Sequence, residues 1–413
     1  MRKGFAFFKK TVEFLTVLYY NFGKGADYKM ALMTGFFPGG DCNNIELYDD
    51  RIECTPALTK FEIESGTINM HYNWRCRIIG KPGERVHVIM HWPPYDPEKS
   101  KKEHVYWFVQ SFGLVAERAM YISEDEIHWK HFTDVKKTGF DFDFTVTLPE
   151  SGRLSAAVNI PFSVEELEAL CAEYKDFRVK VAETRAGFDI PAFRFGNGKK
   201  VIWLQANVHT IEVSGSHALV GAMRYLKAHI DEIKDYSFFV IPSVTVEGLY
   251  GDMARKEQHT DINRDWVKLT NPENINIDRF IRGLAADGYE MLVMTDMHNG
   301  WCDPSESGGN LTEFNPGQFD DDYQARRLKF QRAMLAACDF EKPETFWWHD
   351  KNPNGIECFF DYGSENYHAL CTTMEFSRFE IWDRASESYV PVTQELLEKM
   401  GTQYADFLLH YKY

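Results

Sequence analysis

A chain of 413 residues with no low-complexity run exceeds what one ordinary core takes up, so two packed domains are expected. Hydrophobic residues make up 44% and aromatics 15%, spread along the whole length, which excludes a disordered chain. A formal net charge of −16 without a basic block excludes a nucleic-acid or anionic-membrane footprint, and an acidic substrate would need a locally basic pocket.

The N-terminus, MRKGFAFFKKTVEFLTVLYYNF, places basic residues before apolar ones, but Lys9, Lys10 and Glu13 interrupt the run. A secretory core needs roughly 7–15 uninterrupted apolar residues and a spanning helix about 20. An amphipathic terminal segment of a cytoplasmic protein, with no membrane partner, is therefore expected. The eight cysteines (Cys42, Cys54, Cys76, Cys171, Cys302, Cys338, Cys358 and Cys371) form no C-x-x-C pair and lie mostly in apolar stretches. They read as reduced, buried thiols, although an even count leaves a disulfide framework open.

From about Lys60 to Pro161 the chain runs through short β-type segments: FEIES, INMHYNW, RVHVIMHW, HVYWFVQSF, AMYIS, FDFDFTVTL and LSAAVNI, separated by Gly, Pro, Asp and Lys. This pattern predicts an antiparallel β-sandwich domain over residues 1–165, preceded by an irregular terminal segment. In PFSVEELEALCAEY, Ser163 followed by Glu166 predicts a capping box ahead of a linking helix. Beyond it, strands alternate with longer helical stripes, so residues 166–413 are expected to form an α/β domain with a mixed, largely parallel sheet and flanking helices. The predicted strands are KVIWLQANV, SFFVIPSV, EMLVMTDM and CTTMEFS. The predicted helices are SGSHALVGAMRYLKAHI, NINIDRFIRGLAADG, DDYQARRLKFQRAMLAA and TQELLEKMGTQYADFLL.

The sequence lacks G-x-x-x-x-G-K-[ST], a post-strand G-x-G-x-x-G, a G-x-S-x-G elbow and H-E-x-x-H, which removes most support for nucleotide binding and serine hydrolysis. What it offers instead is His209-Thr210-Ile211-Glu212 directly after a strand, where open α/β sheets bind ligands. H-x-x-E alone is weak: His229-Ile230-Asp231-Glu232 repeats it on a helical surface segment, and a satisfied polar pair at a loop explains it equally well. A second strand end, EMLVMTDM followed by His298, supplies the missing member. Two histidines and a carboxylate at the ends of strands in one sheet match a catalytic zinc site with an open position.

The intervening loop carries Arg255 and then Asp261, Asn263 and Arg264, and a later strand, CTTMEF, ends in Glu375. In this order the elements resemble the zinc metallocarboxypeptidase family, and VYWFVQSF, YISEDEIHW and AVNIPFSVEELEAL resemble the β-domain of its cytosolic carboxypeptidase-like branch. The resemblance implies one Zn2+ per chain held by His209, Glu212 and His298, acting on the C-terminus of a peptide or protein. It implies Glu375 as general base, Arg255 as oxyanion partner, Asn263 and Arg264 as carboxylate clamp, and Asp261 as the carboxylate behind His209. The family's N-P-D-G turn is replaced by Val244-Thr245-Val246-Glu247-Gly248, and its substrate-capping tyrosine has no clear counterpart, with Tyr362 the first candidate and Tyr367 the second. Arg378, just past Glu375, would suit an acidic C-terminal side chain, or would pair Glu380 or Asp383. A deacylase of N-acyl amino acids and a non-catalytic binding protein are the competing readings. Oligomeric state is not legible.

Overall fold

The structure, a computed structural model, describes residues 31–35, 37, 40, 42–56, 74–91, 120–139, 141–250, 261–299, 310–313, 320–339, 346–348, 358–377 and 380–413. The predicted FEIES and HVYWFVQSF strands, all of INMHYNW but its last residue, and the N-terminal amphipathic segment lie outside them.

The first described part is all strand: β1 (Leu32–Thr34), β2 (Asn43–Leu47), β3 (Ile52–Thr55), β4 (Trp74–Ile79), β5 (Arg85–His91), β6 (Met120–Ser123), β7 (Lys130–His131), β8 (Val135–Thr138), β9 (Asp141–Thr147) and β10 (Arg153–Val158). They form two five-stranded sheets, β1-β4-β10-β6-β7 and β2-β3-β5-β9-β8. Period-two burial drives the arrangement. Val86, Val88 and Met90 of β5 and Phe142, Phe144 and Val146 of β9 point inward, while His87 and Asp143 meet on the outer face at 2.8 Å. From the first sheet Trp74 packs edge-on against Phe144 of the second, with ring centroids 6.1 Å apart. The expected antiparallel pairing needs one correction, since β3 and β5 run parallel. The reason is topological: between them the chain passes through β4 of the other sheet, a crossover that returns it in the same direction.

Helix α1 (Val164–Glu173) follows, with the Ser163 hydroxyl accepting from the Glu166 amide at 3.0 Å. Only this half of the predicted capping box forms. The Glu166 carboxylate turns instead toward His217, 3.3 Å away on the next helix.

The second part is built on an eight-stranded mixed sheet in the order β11-β12-β14-β13-β15-β18-β16-β17. Its strands are β11 (Arg178–Glu183), β12 (Asp189–Phe195), β13 (Lys200–Ala206), β14 (Tyr236–Ile241), β15 (Glu290–Asn299), β16 (Asn310–Glu313), β17 (Phe346–Trp348) and β18 (Leu370–Phe376). The central neighbours β14, β13, β15 and β18 are parallel; β12 joins β14 and β16 joins β18 antiparallel. Pro191 sits in β12 beside a register shift in β11, where its missing N–H disrupts least.

Around the sheet lie α2 (Ser214–Ala228), α3 (Val246–Tyr250), α4 (Pro272–Ala286), α5 (Asp321–Ala337), α6 (Phe359–Tyr367) and α7 (Gln394–His410), with a small hairpin of β19 (Glu380–Asp383) and β20 (Ser388–Pro391). Helices α2 and α7 approach backbone to backbone: a Cβ at Gly221 would strike Glu398 O, and one at Gly401 would strike Ala218 O. One continuous apolar core runs through both parts. The Tyr121 hydroxyl of β6 donates to Val392 O at 2.6 Å, and the Trp129 amide donates to the Gln394 side chain at 3.4 Å. None of the seven described cysteines is in a disulfide. Among the described residues, no helix is long and apolar enough to cross a membrane.

Candidate metal centre

Strand β13 ends at Ala206, and the next residue, Asn207, takes a left-handed φ of 55° that turns the chain out of the sheet. Its amide then holds the turn together: Nδ2 donates to the carbonyls of His209 (3.0 Å), Thr210 (2.9 Å) and Glu212 (3.3 Å), and Oδ1 accepts from Ser243 at 2.8 Å. Three residues of α2's approach are thereby fixed from one side chain. Behind the turn, Gly248 of α3 lies so close to Thr210 that a Cβ there would collide with that side chain.

The turn delivers His209 and Glu212 to the same point as His298, which arrives from the C-terminal end of β15. Glu212 Oε2 is 2.9 Å from His209 Nδ1 and 2.7 Å from His298 Nδ1. All three residues are buried, and their donor atoms lie within 4.8 Å of one another. The other ring nitrogens are backed by carboxylates: His209 Nε2 by Asp261 Oδ1 at 3.0 Å, and His298 Nε2 by Asp296 Oδ2 at 2.8 Å. Carboxylates that accept at Nε2 leave Nδ1 free to bind a cation, the arrangement usual for metal-binding histidines.

Charge at this centre is strongly perturbed. Burial opposes ionisation of Glu212, but the His209 ring and hydrogen bonds from both histidines hold its carboxyl well below the usual range. Burial likewise opposes protonation of His298, yet the Asp296 and Glu212 carboxylates push it well above an ordinary histidine. Three carboxylates against two imidazoles is an excess of negative charge in a buried place, which a divalent cation would neutralise. The residues thus fit a metal on chemistry and on convergence, and two nitrogens with one carboxylate suit zinc.

Asp261 caps a single 3-10 turn, Ile262–Arg264, by accepting from the Asn263 amide at 3.0 Å. That turn places Asn263 beside the centre: its Nδ2 is 3.4 Å from His298 Nε2, and its Oδ1 accepts from the Phe359 amide, the first of α6, at 3.4 Å. Arg264 is exposed and donates to Asn263 O at 3.2 Å. Glu375 pairs in register with His298 across the parallel β15–β18 ladder, so both side chains emerge on one face of the sheet. Arg255 and Arg378 lie outside the described residues. Tyr362 requires a correction. It is buried at 1% exposure, its hydroxyl donates to Asp278 at 2.7 Å, and its ring packs with Trp266 and Phe359. A hydroxyl committed to the core has no place at the rim of a site.

Sequence reading missed Asn207, Gln205, Asp296 and Asn299. Asn299 accepts from the Ser214 amide at the start of α2 and brings its own N–H to 3.4 Å from Glu212 Oε2. The available signal was a polar residue inside an otherwise apolar buried strand, as in LQA and VMTDMHN, since such a group survives burial only with a partner.

Comparison with known proteins places this fold. No protein-family model matches the chain. No curated protein matches it either. Among solved structures it is similar to metallo-carboxypeptidases. One, from Burkholderia cenocepacia, superposes with a TM-score of 0.70 at 16% identity, over 92% of this chain and 98% of that one. Another, from Pseudomonas aeruginosa and solved with (2-guanidinoethylmercapto)succinic acid, gives a TM-score of 0.70 at 14% identity with the same coverage. What is shared at such identities is the fold, along nearly the whole chain.

Proposed function

We propose that this chain is a cytoplasmic zinc metallocarboxypeptidase of the cytosolic carboxypeptidase-like branch, with a β-domain over residues 1–165 leading an α/β catalytic domain over 166–413. It removes C-terminal residues from peptides or proteins. The observation that carries the reading is the convergence of His209 Nδ1, Glu212 and His298 Nδ1 within a fold shared with metallo-carboxypeptidases.

His209, Glu212 and His298 would hold the zinc. When bound, the ion supplies Lewis-acid activation of water and of the scissile carbonyl. Glu375, beside His298 on the neighbouring strand, takes the proton of the attacking water and passes it to the leaving amine, so that one peptide bond and one water become a carboxylate and an amine. Asn263 and Arg264 grip the terminal carboxylate of the substrate: a guanidinium offers two parallel donors and the amide a third. This grip confines cleavage to the chain end. Arg255 is assigned the developing oxyanion, and Arg378 an acidic C-terminal side chain. Tyr362 is given no role at the site.

The test measures zinc content and hydrolysis of a peptide library with varied C-terminal residues, for the native protein and Glu375→Gln. The expected result is stepwise, chelator-sensitive trimming by the native protein and a loss of about 10²–10⁴-fold in the variant, with zinc retained. Hydrolysis of N-acyl amino acids without peptide trimming would move the assignment to a deacylase. Stoichiometric zinc without any hydrolysis would leave a binding protein.

A further inference from the structure

Asp296 is a buried carboxylate in the middle of the central sheet, at 1% exposure, and no step of the proposed reaction uses it. A chain of donors and acceptors fixes its role. The indole of Trp203 can only donate, and it donates to Gln205 Oε1 at 2.9 Å. That assigns the orientation of the Gln205 amide: its oxygen faces the indole, and its NH2 faces Asp296 across the β13–β15 ladder, where Nε2 is 3.4 Å from Asp296 Oδ1. An ionised carboxylate can only accept, so the second oxygen, Oδ2, calls for a proton on His298 Nε2 at 2.8 Å, a closer approach than the 3.4 Å between that nitrogen and Asn263 Nδ2. His298 Nδ1 is then the nitrogen left to face Glu212 at 2.7 Å. Each link follows from the one before it, and all four groups sit on strands of the sheet, Trp203 and Gln205 on β13 and Asp296 and His298 on β15.

We propose that Asp296 is the positioning residue of the metal centre, and that Trp203, Gln205 and Asp296 form a directional relay that presets which nitrogen of His298 binds the metal. The inference rests on the metallopeptidase reading for the existence of the metal. It distinguishes the two histidines. His298 is set by the rigid sheet. His209 is set by Asp261, which lies on a 3-10 turn and is partly exposed. The sheet-borne ligand is prearranged before any metal arrives, and the loop-borne one completes the set.

The experiment titrates zinc against a chromophoric chelator for the full chain, Asp296→Asn and Gln205→Leu, and records 15N histidine spectra of the zinc-loaded native protein. Expected are zinc through Nδ1 and a proton on Nε2 of His298, an affinity loss of about 10–100-fold for Asp296→Asn, and a smaller loss in the same direction for Gln205→Leu. Urea unfolding in chelator monitors the fold of both variants; if Asp296→Asn does not fold, the native spectra decide. Zinc on Nε2 of His298, or native-like affinity in a folded Asp296→Asn, overturns the relay while leaving the metallopeptidase reading intact. A native protein that binds no zinc overturns both.

Discussion

Two buried ionic clusters in this chain draw on the same kinds of residue and end in opposite states. Against the first β-sheet, in the connection between β6 and β7, Glu126 is fully buried and receives Arg75 (2.6 Å), Arg77 (2.6 Å) and Arg153 (2.9 Å), together with the Ser155 hydroxyl at 2.6 Å. Glu165 stands 3.6 Å from Arg77. Here one carboxylate satisfies several cations, and its lone pairs are spent within the protein. At the candidate metal centre the ratio is inverted: Glu212, Asp261 and Asp296 surround two imidazoles whose Nδ1 atoms converge on one carboxylate oxygen. The first cluster is closed. The second has acceptors in excess and a common focus, which is what a cation site requires. Burial and charge do not separate a structural cluster from a functional one, whereas the direction of the surplus does.

The largest expected effect breaks the closed cluster. Glu126→Ala leaves Arg75 and Arg77 buried without their counter-charge, and removal of one partner from such a set costs about 3–5 kcal/mol. Urea unfolding in chelator should show that loss, with zinc affinity unchanged per folded molecule. A destabilisation within error of zero would mean that the arginines find other partners.

At the open cluster the corresponding term depends on metal. Zinc at a thousand times its dissociation constant should stabilise the fold by about 4 kcal/mol, and chelation should remove that increment. In Glu212→Gln the melting temperature should be indifferent to chelator. A variant that still responds would place the metal elsewhere.

Acid sharpens the contrast. Burial alone would raise Glu126, but its hydrogen bond to Arg77 and the charges of Arg75 and Arg77 hold it well below the ordinary carboxylate range. A carboxyl depressed in the folded state contributes its full stability above the unfolded value, near ~4.3, and loses it as pH falls toward the folded value. Stability in chelator should therefore decline from about pH 5 downward. Glu126→Gln should start lower and decline less over the same range, a difference that unfolding midpoints across pH 3–6 would reveal.

How much of this was legible depended on whether a residue's task shows in its neighbours. Helices α2, α4 and α7 carry apolar stripes, and β13, β14, β15 and β18 are largely apolar runs, so period and burial announce them, whereas the buried face of α5 includes Arg327 and Gln331. Strands β11 and β12 did not stand out: RVKVAE alternates with charge on an edge, and Pro191 interrupts the other. Helix α6 is nine residues long and capped by Cys358, a residue type that gives no start signal. His209, Glu212 and His298 stood out because His209 and Glu212 come just after a strand and His298 lies at the C-terminal end of one. Their supports did not, because Asp296 and Gln205 are inside strands and act only across the ladder, a relation set by register. Tyr362 was a candidate only as counterpart of a tyrosine in the resembled family, and position along the chain says nothing about which way a helix turns its side chains.

The smallest expected effect tests whether the open cluster depends on its scaffold as well as on its ligands. Gly248 has no room for a Cβ: one placed there would meet Cβ, Oγ1 and Cγ2 of Thr210, one residue beyond His209. Thr210 cannot simply withdraw, because its hydroxyl contacts Thr245 at 3.2 Å and its carbonyl is held by Asn207 at 2.9 Å. The strain of Gly248→Ala, about 1–3 kcal/mol for an overpacked contact, should fall on the turn that carries His209 and Glu212. Zinc affinity should drop while the acid limb governed by Glu126 keeps its shape. A loss of stability without a loss of affinity would show that the turn absorbs the methyl group by moving α3, and that the ligand geometry is set by the sheet through His298.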